Sequence, residues 1–156
     1  MKTLKYFSII GFLVLGTQMF AQSNVMKSIL NELNGAYAGS YRFSVNGEQQ
    51  LEIDFFNGSG HFRQDIVYLD FLDPEMVTYN SDENAVAIRC AKEGDKCIDK
   101  EIYKLDVIRF SSRINLKEEN PTQAENTKAL LKKIIILHLE SEKEKEANLG
   151  ETRRKR

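Results

Sequence analysis

Histidine and cysteine are scarce in this chain of 156 residues, with two of each, and neither sign of charge is in excess: 22 Lys and Arg stand against 23 Asp and Glu. Each scarcity excludes something. His61, His138, Cys90 and Cys97 are too few and too scattered for a zinc site built from nitrogen and sulfur ligands. Balanced charge leaves no concentrated basic face for a phosphate backbone, so nucleic acid is not an expected partner. The chain has no internal repeat and no low-complexity linker, and one domain is the expectation at this length. It also lacks a Gly-x-Ser-x-Gly elbow, an EF-hand spacing and a phosphate-cradling glycine loop, which leaves the usual signatures of catalysis and cofactor binding unfilled.

What the chain does have begins at its N-terminus. Lys2 and Lys5 precede an apolar run from Tyr6 to Leu15, and Thr17 to Phe20 lead to the small residue Ala21. This is the pattern of a secretory leader, cut after Ala21. At about 1.5 Å rise per residue the run is too short to cross a hydrocarbon core of about 30 Å, so the expected product is not membrane-spanning. No cysteine adjoins the cut, which argues against a lipid anchor there. The expected location is periplasmic or secreted. Residues 22–139 then form a single α+β domain and residues 140–156 a charged, flexible tail.

An exported chain with two cysteines reads as one disulfide, Cys90 to Cys97. Four loop residues, Lys92 to Asp95, would make a hairpin with the two cysteines on opposite strands. The alternatives are a redox pair, which favours tighter spacing, and a metal site, which needs further ligands.

Hydrophobic periodicity supplies the elements. Val25, Met26, Ile29, Leu30 and Leu33 recur at helical spacing after Ser23, a good cap, with Gly35 at the far end, giving a short N-terminal helix. From Tyr37 to Leu116 the period becomes two. Tyr41, Phe43 and Val45 alternate with polar residues, Leu51, Ile53 and Phe55 do so again, and Asn46-Gly47 between them makes a β-hairpin. A two-residue Asn46-Gly47 turn would put the apolar rows on opposite faces, so a three-residue loop, Val45-Asn46-Gly47 with Gly47 left-handed, is expected, pairing Phe43 with Gln49. A third strand runs to Leu69, Asp73-Pro74 marks a turn, and strands follow at Val77 to Tyr79, Val86 to Cys90, Ile98 onward, Ile102 to Phe110 and Arg113 to Leu116. Asn120 caps a long helix that starts at Pro121 and presents Ala124, Thr127, Leu131, Ile134, Ile135 and His138. The expected fold is a mostly antiparallel barrel or bent sheet of six to eight strands with a short N-terminal and a long C-terminal helix.

Chemistry-bearing residues are few. His61 with Ser111 or Ser112 and an aspartate could form a nucleophilic set. Asp65, Asp70, Asp73 and Glu75 crowd one region and could hold a calcium ion or act as a carboxylate pair, but solvated turns are the preferred reading of these acids. His138 lies on the apolar helix stripe and reads as a hydrogen-bonded core residue. The strand aromatics read mostly as core, and any on the outer face could form a binding surface.

The alternating Val86, Ile88 and Cys90, the return at Cys97-Ile98 and the helix over Asn120 to Leu139 resemble uncharacterised small secreted bacterial proteins with this order of elements. The order also resembles the pleckstrin-homology-like architecture, in which antiparallel strands form a bent barrel closed by a C-terminal helix. That resemblance implies a binding scaffold. It carries over no site residues and no cofactor, and the lipid-binding lysines of the family have no counterpart here. The leading expectation is an exported, non-enzymatic module that binds a protein, peptide or envelope ligand. A small secreted hydrolase using His61 and nearby carboxylates is one alternative. An inhibitor of a secreted hydrolase, acting through the loop Lys92 to Lys96, is another.

Overall fold

A computed structural model describes residues 22–154 of the chain. The expected leader, residues 1–21, lies outside the described residues. Helix α1 covers residues 22–36, and buries Ile29 and Leu33. It is longer than expected at both ends. Ser23 and Gly35 fall inside it, and the left-handed residue after it is Gly39, with φ +93°.

Eight strands follow: β1 Tyr41–Val45, β2 Gln50–Asn57, β3 Gly60–Tyr68, β4 Leu72–Asn80, β5 Ala85–Cys90, β6 Ile98–Ile102, β7 Val107–Ser111 and β8 Arg113–Lys117. They make two antiparallel sheets, β1-β2-β3-β6-β7 and β4-β5-β8, which do not close into a barrel among the described residues. The pairing is simpler than two sheets suggest. β3 continues into β4 through a 3-10 turn at Leu69–Phe71, β5 continues into β6, and β7 continues into β8 through Ser112. Since β3 pairs β6 and β4 pairs β5, while β6 pairs β7 and β5 pairs β8, the chain is one up-and-down meander whose last three strands are each folded at a shared crease.

The crease explains the largest correction. Cys90 and Cys97 are bonded, with Cα atoms 5.9 Å apart, but they do not face each other across a hairpin. They sit on either side of the bend in one folded strand, β5 in one sheet and β6 in the other. Backbone bonds run along the same line: Ala91 N–H donates to Phe71 C=O at 2.8 Å and Cys90 N–H to Ser112 C=O at 3.1 Å. The disulfide therefore clips the corner, and residues 91–96 bulge out from it.

Three further expectations change. In the β1–β2 hairpin Tyr41 faces Phe55, Phe43 faces Ile53 and Val45 faces Leu51. The loop is three residues long, but Gln49 takes the left-handed position, φ 62°, instead of Gly47. Asn46 fixes this register: its Oδ1 accepts from the N–H of Glu48 at 2.9 Å and of Gln50 at 3.1 Å, an Asx turn. Asp73-Pro74 does not separate strands. It lies within β4, where pairing jumps from Leu72↔Cys90 to Val77↔Ile88, so the proline occupies a bulge and no ladder donor is lost. The run Ile102 to Phe110 is two strands, not one: β6 and β7 form a hairpin through a 3-10 turn at Tyr103–Leu105 and a left-handed Asp106.

Helix α2, Pro121–Arg154, follows a cap in which Asn120 Oδ1 accepts the Gln123 N–H at 2.9 Å. It packs on β4, on residues 69–71 and on β5, burying Ala124, Leu131, Ile134 and Ile135. The charged stretch from Glu140 continues this helix to Arg154, with Lys145 and Glu142 paired one turn apart at 2.6 Å. No helix among the described residues is long and apolar enough to cross a membrane.

Candidate functional site

An open sheet has edges, and an edge strand presents backbone N–H and C=O groups with no neighbour. Three of the four edges are protected here. On β1, the Asn34 side chain of α1 stands in for a neighbouring strand: its Oδ1 accepts the Phe43 N–H at 2.7 Å and its Nδ2 donates to the Phe43 C=O at 3.0 Å. On β8, the Tyr41 hydroxyl accepts the Lys117 N–H at 2.9 Å, and Ser111 Oγ accepts the Arg113 N–H at 3.3 Å and donates to its C=O at 2.9 Å. β4 carries Pro74 and its bulge and lies under α2.

The fourth edge is β7. Among the described residues no side chain or backbone group caps its outward side. It is also the most exposed apolar segment of the sheet. Val107 to Phe110 are all exposed, Ile108 at 60%, Phe110 at 63% and Leu105 just before it at 59%. Paired residues share a face, so the register places Ile108 beside Glu101 and Phe110 beside Asp99 on the outer face, with Val107 beside Ile102 and Arg109 beside Lys100 on the inner face.

The inner row continues from Arg109 and Lys100 through Asp65 to Ile53 and Phe43. Its apolar end is core. Its other end is a charged cluster. Asp65 is 0% exposed; Arg63 Nη2 donates to its Oδ2 at 3.2 Å, while Arg63 Nε stands 2.8 Å from Oδ1 as an ion pair outside hydrogen-bond geometry. Lys100 Nζ lies 3.9 Å from Oδ2, and the Arg63 guanidinium covers the Phe55 ring. Burial raises the Asp65 carboxyl above the usual carboxylate range although Arg63 and Lys100 pull it down. Burial likewise lowers Lys100, against the pull of Asp65 and with help from Arg63 and Arg113. Arg109, outermost in the row, has no partner among the described residues.

The structure separates the residues expected to act together. His61 is on the outer face, where its Nε2 is 3.1 Å from Asp54 Oδ1 and its ring stacks on Phe56 and meets Tyr103 edge-on. Asp54, an aspartate the sequence did not single out, also takes Arg42 at 2.7 Å and Gln64 at 2.8 Å. A bulge between Phe55 and Phe56 puts His61 on the outer face while Arg63 and Asp65 face inward. Asp70 goes to His138, Asp73 accepts the N–H of Glu75 at 2.8 Å, and Glu75 reaches Lys132 on α2 at 3.4 Å. No group of three or more metal-ligating side chains forms among the described residues. His61, Asp65 and Asp70 do not converge. Ser111 is occupied with Arg113.

His138 is 3% exposed, hydrogen-bonded to Asp70 at 2.7 Å and to Gln49 at 3.3 Å, as its place on the helix stripe suggested. It forms one wall of a groove of about 290 Å³ between the two helices and the β1–β2 turn, with Met26, Leu30 and Leu137 on other sides. A second buried polar cluster joins the segment after α1 to the end of β8 away from the crease and to α2: the Tyr37 hydroxyl donates to the Glu118 carboxylate and is hydrogen-bonded to Thr127. Burial and the adjoining carboxylate raise Tyr37 above the ordinary phenol range, and burial raises Glu118 against the lowering effect of the Tyr37 hydrogen bond.

The open edge was hidden in the sequence because Ile102 to Phe110 reads as one strand. The adjacent pair Val107-Ile108 was the available signal, since it places an apolar side chain on each face of a strand and a one-sided sheet buries only one of them. No protein-family model, no curated protein and no solved structure matches this chain.

Proposed function

We propose that this chain is an exported, non-enzymatic binding module, built on a pleckstrin-homology-like order of strands and closing helix, that takes an extended segment of another protein onto the edge of β7. Strand addition draws its affinity from backbone hydrogen bonds and its selectivity from alternate side chains. The observation that carries the reading is the contrast among edges: β1, β4 and β8 are protected, while β7 is uncapped and exposes Ile108 and Phe110. An edge left bare and apolar is a liability unless something covers it. The leader pattern and the Cys90–Cys97 disulfide support export. His61, Asp65 and Asp70 lie apart, and the carboxylate beside His61, Asp54, is already bound to Arg42 and Gln64, which favours binding over the hydrolase alternative.

Selection from a displayed library of random linear peptides tests this. The wild-type protein is expected to enrich sequences with alternating apolar residues, and a variant with Ile108→Lys and Phe110→Lys is expected to lose them while remaining folded. Enriched peptides that bind both proteins equally would overturn the reading.

A further inference from the structure

We infer that the segment received by β7 carries an acidic residue between apolar ones, with the acid facing Arg109. This rests on the strand-addition reading and adds the partner's chemistry to it. An incoming strand alternates faces just as β7 does. Its residues opposite Ile108 and Phe110 lie on the outer face, where apolar side chains extend the exposed pair. Its residue opposite Arg109 lies on the inner face, at the end of the row Asp65, Lys100, Arg109. There the only carboxylate of the row, Asp65, is already engaged by Arg63 and Lys100, so Arg109 and Lys100 together leave positive charge uncompensated. A carboxylate at that position meets a guanidinium, the pairing with the best geometry for charge-assisted hydrogen bonds. Val107 beside it calls for a further apolar residue. The occupied length is set by the strand, five residues from Val107 to Ser111, because Asp106 turns the chain at one end and Ser112 bends it at the other.

The same row disfavours a second copy of the chain. Antiparallel pairing of β7 with itself that keeps faces matched sets Arg109 against Arg109, Val107 or Ser111. None of these is acidic, and the centred register opposes like charges directly, which destabilises a ladder. Arg109 thus works against self-association while selecting an acid-bearing strand.

Blocked peptides with valines flanking a central glutamate or a central lysine serve as probes, titrated against the chain from residue 22 onward and an Arg109→Glu variant, with amide exchange of β7 recorded in each case. Wild type is expected to bind the glutamate peptide about tenfold more tightly than the lysine peptide, and Arg109→Glu to reverse that order. Equal binding of both peptides with β7 amides protected would overturn the acidic rule and leave strand addition standing. Absence of β7 protection with either peptide would overturn both. A concentration-dependent dimer in the peptide-free protein, abolished by Ile108→Lys, would identify a second copy as the occupant and overturn the inference.

Discussion

The two edges of the five-stranded sheet are built from similar residues and treated in opposite ways. β1, Tyr-Arg-Phe-Ser-Val, and β7, Val-Ile-Arg-Phe-Ser, are both five residues long, apolar and carry one arginine. On β1 the arginine is bound to Asp54, Phe43 is buried, and Asn34 occupies its outward backbone groups. On β7 the arginine is unpartnered, the phenylalanine is exposed and the backbone is open. Composition does not set the difference. What decides it is whether another part of the chain returns to cover the edge: α1 returns to β1, whereas α2 turns away across β4. The contrast separates an edge closed by the fold itself from one open to a partner.

Perturbations rank themselves by how they act on this contrast. The largest effect is expected from replacing both cysteines by serine. The disulfide holds the crease through which β5 feeds β6 and hence the ledge that carries β7, and loop-closure entropy for so short a ring gives about 2.5 kcal/mol. Urea unfolding should show that loss, with amide exchange rising most in β6 and β7. An equal rise in β1 and β2 would mean that the two edges are not mechanically distinct.

Asn34→Ala is expected next. It strips both bonds from Phe43 and converts β1 into a second bare edge, at a cost of about 2 kcal/mol for two lost hydrogen bonds in a half-buried setting. The same variant should begin to bind β7-type peptides at β1. A stability change below about 0.5 kcal/mol would show that the amide is not a working cap.

Tyr37, beneath the β1 edge, gives the comparison a pH signature. Its folded pKa is raised, so the neutral phenol is favoured in the native state. Its contribution is complete below the ordinary tyrosine value of about 10 and is lost as pH rises through the higher folded value. Glu118 has the same sign in the acid range, its contribution fading as pH climbs through its raised carboxyl pKa. Unfolding free energy should therefore fall above about pH 10, and Tyr37→Phe should flatten that fall while costing about 1 kcal/mol at neutral pH. An unchanged alkaline slope would assign the titration elsewhere.

The smallest expected effect is on stability at β7 itself. Ile108→Lys with Phe110→Lys should change unfolding free energy by less than about 0.5 kcal/mol, since both side chains are already in water, while abolishing peptide binding. A loss above about 2 kcal/mol would place these residues in the core and remove the basis of the comparison.

Much of this architecture is legible in the residues. The helix cap at Asn120, the alternation of Val86, Ile88 and Cys90, and the cysteine pairing follow from local chemistry. For the β1–β2 hairpin the requirement that apolar rows share a face fixes the parity of the register. It does not choose between the expected register, with Phe43 opposite Gln49, and the observed one four residues on, with Phe43 opposite Ile53. Asn46 makes that choice through its Asx turn and its bonds to Gln50 and Glu52. The crease is illegible for a different reason. A strand that changes sheets keeps its alternation on both sides of the bend, so Cys90 and Cys97 look like hairpin partners although they lie along one folded strand. The open edge is hidden because exposure is decided by distant segments: beyond the apolar pair Val107-Ile108, nothing within Val107 to Ser111 records that α2 passes elsewhere. His61 and Asp54 escaped pairing in the sequence because the bulge at Phe55 and Phe56, which rotates His61 to the outer face, leaves no local mark.

Residue-resolved amide exchange of the chain from residue 22 onward, with and without a peptide selected on it, bears most directly on whether β7 is a receiving edge. The expected result is rapid exchange at outward-facing β7 amides in the free protein, slowed at least about tenfold by peptide, with β1 and β5 unchanged. Binding that leaves β7 exchange untouched, or that protects the groove beside His138 instead, would contradict it.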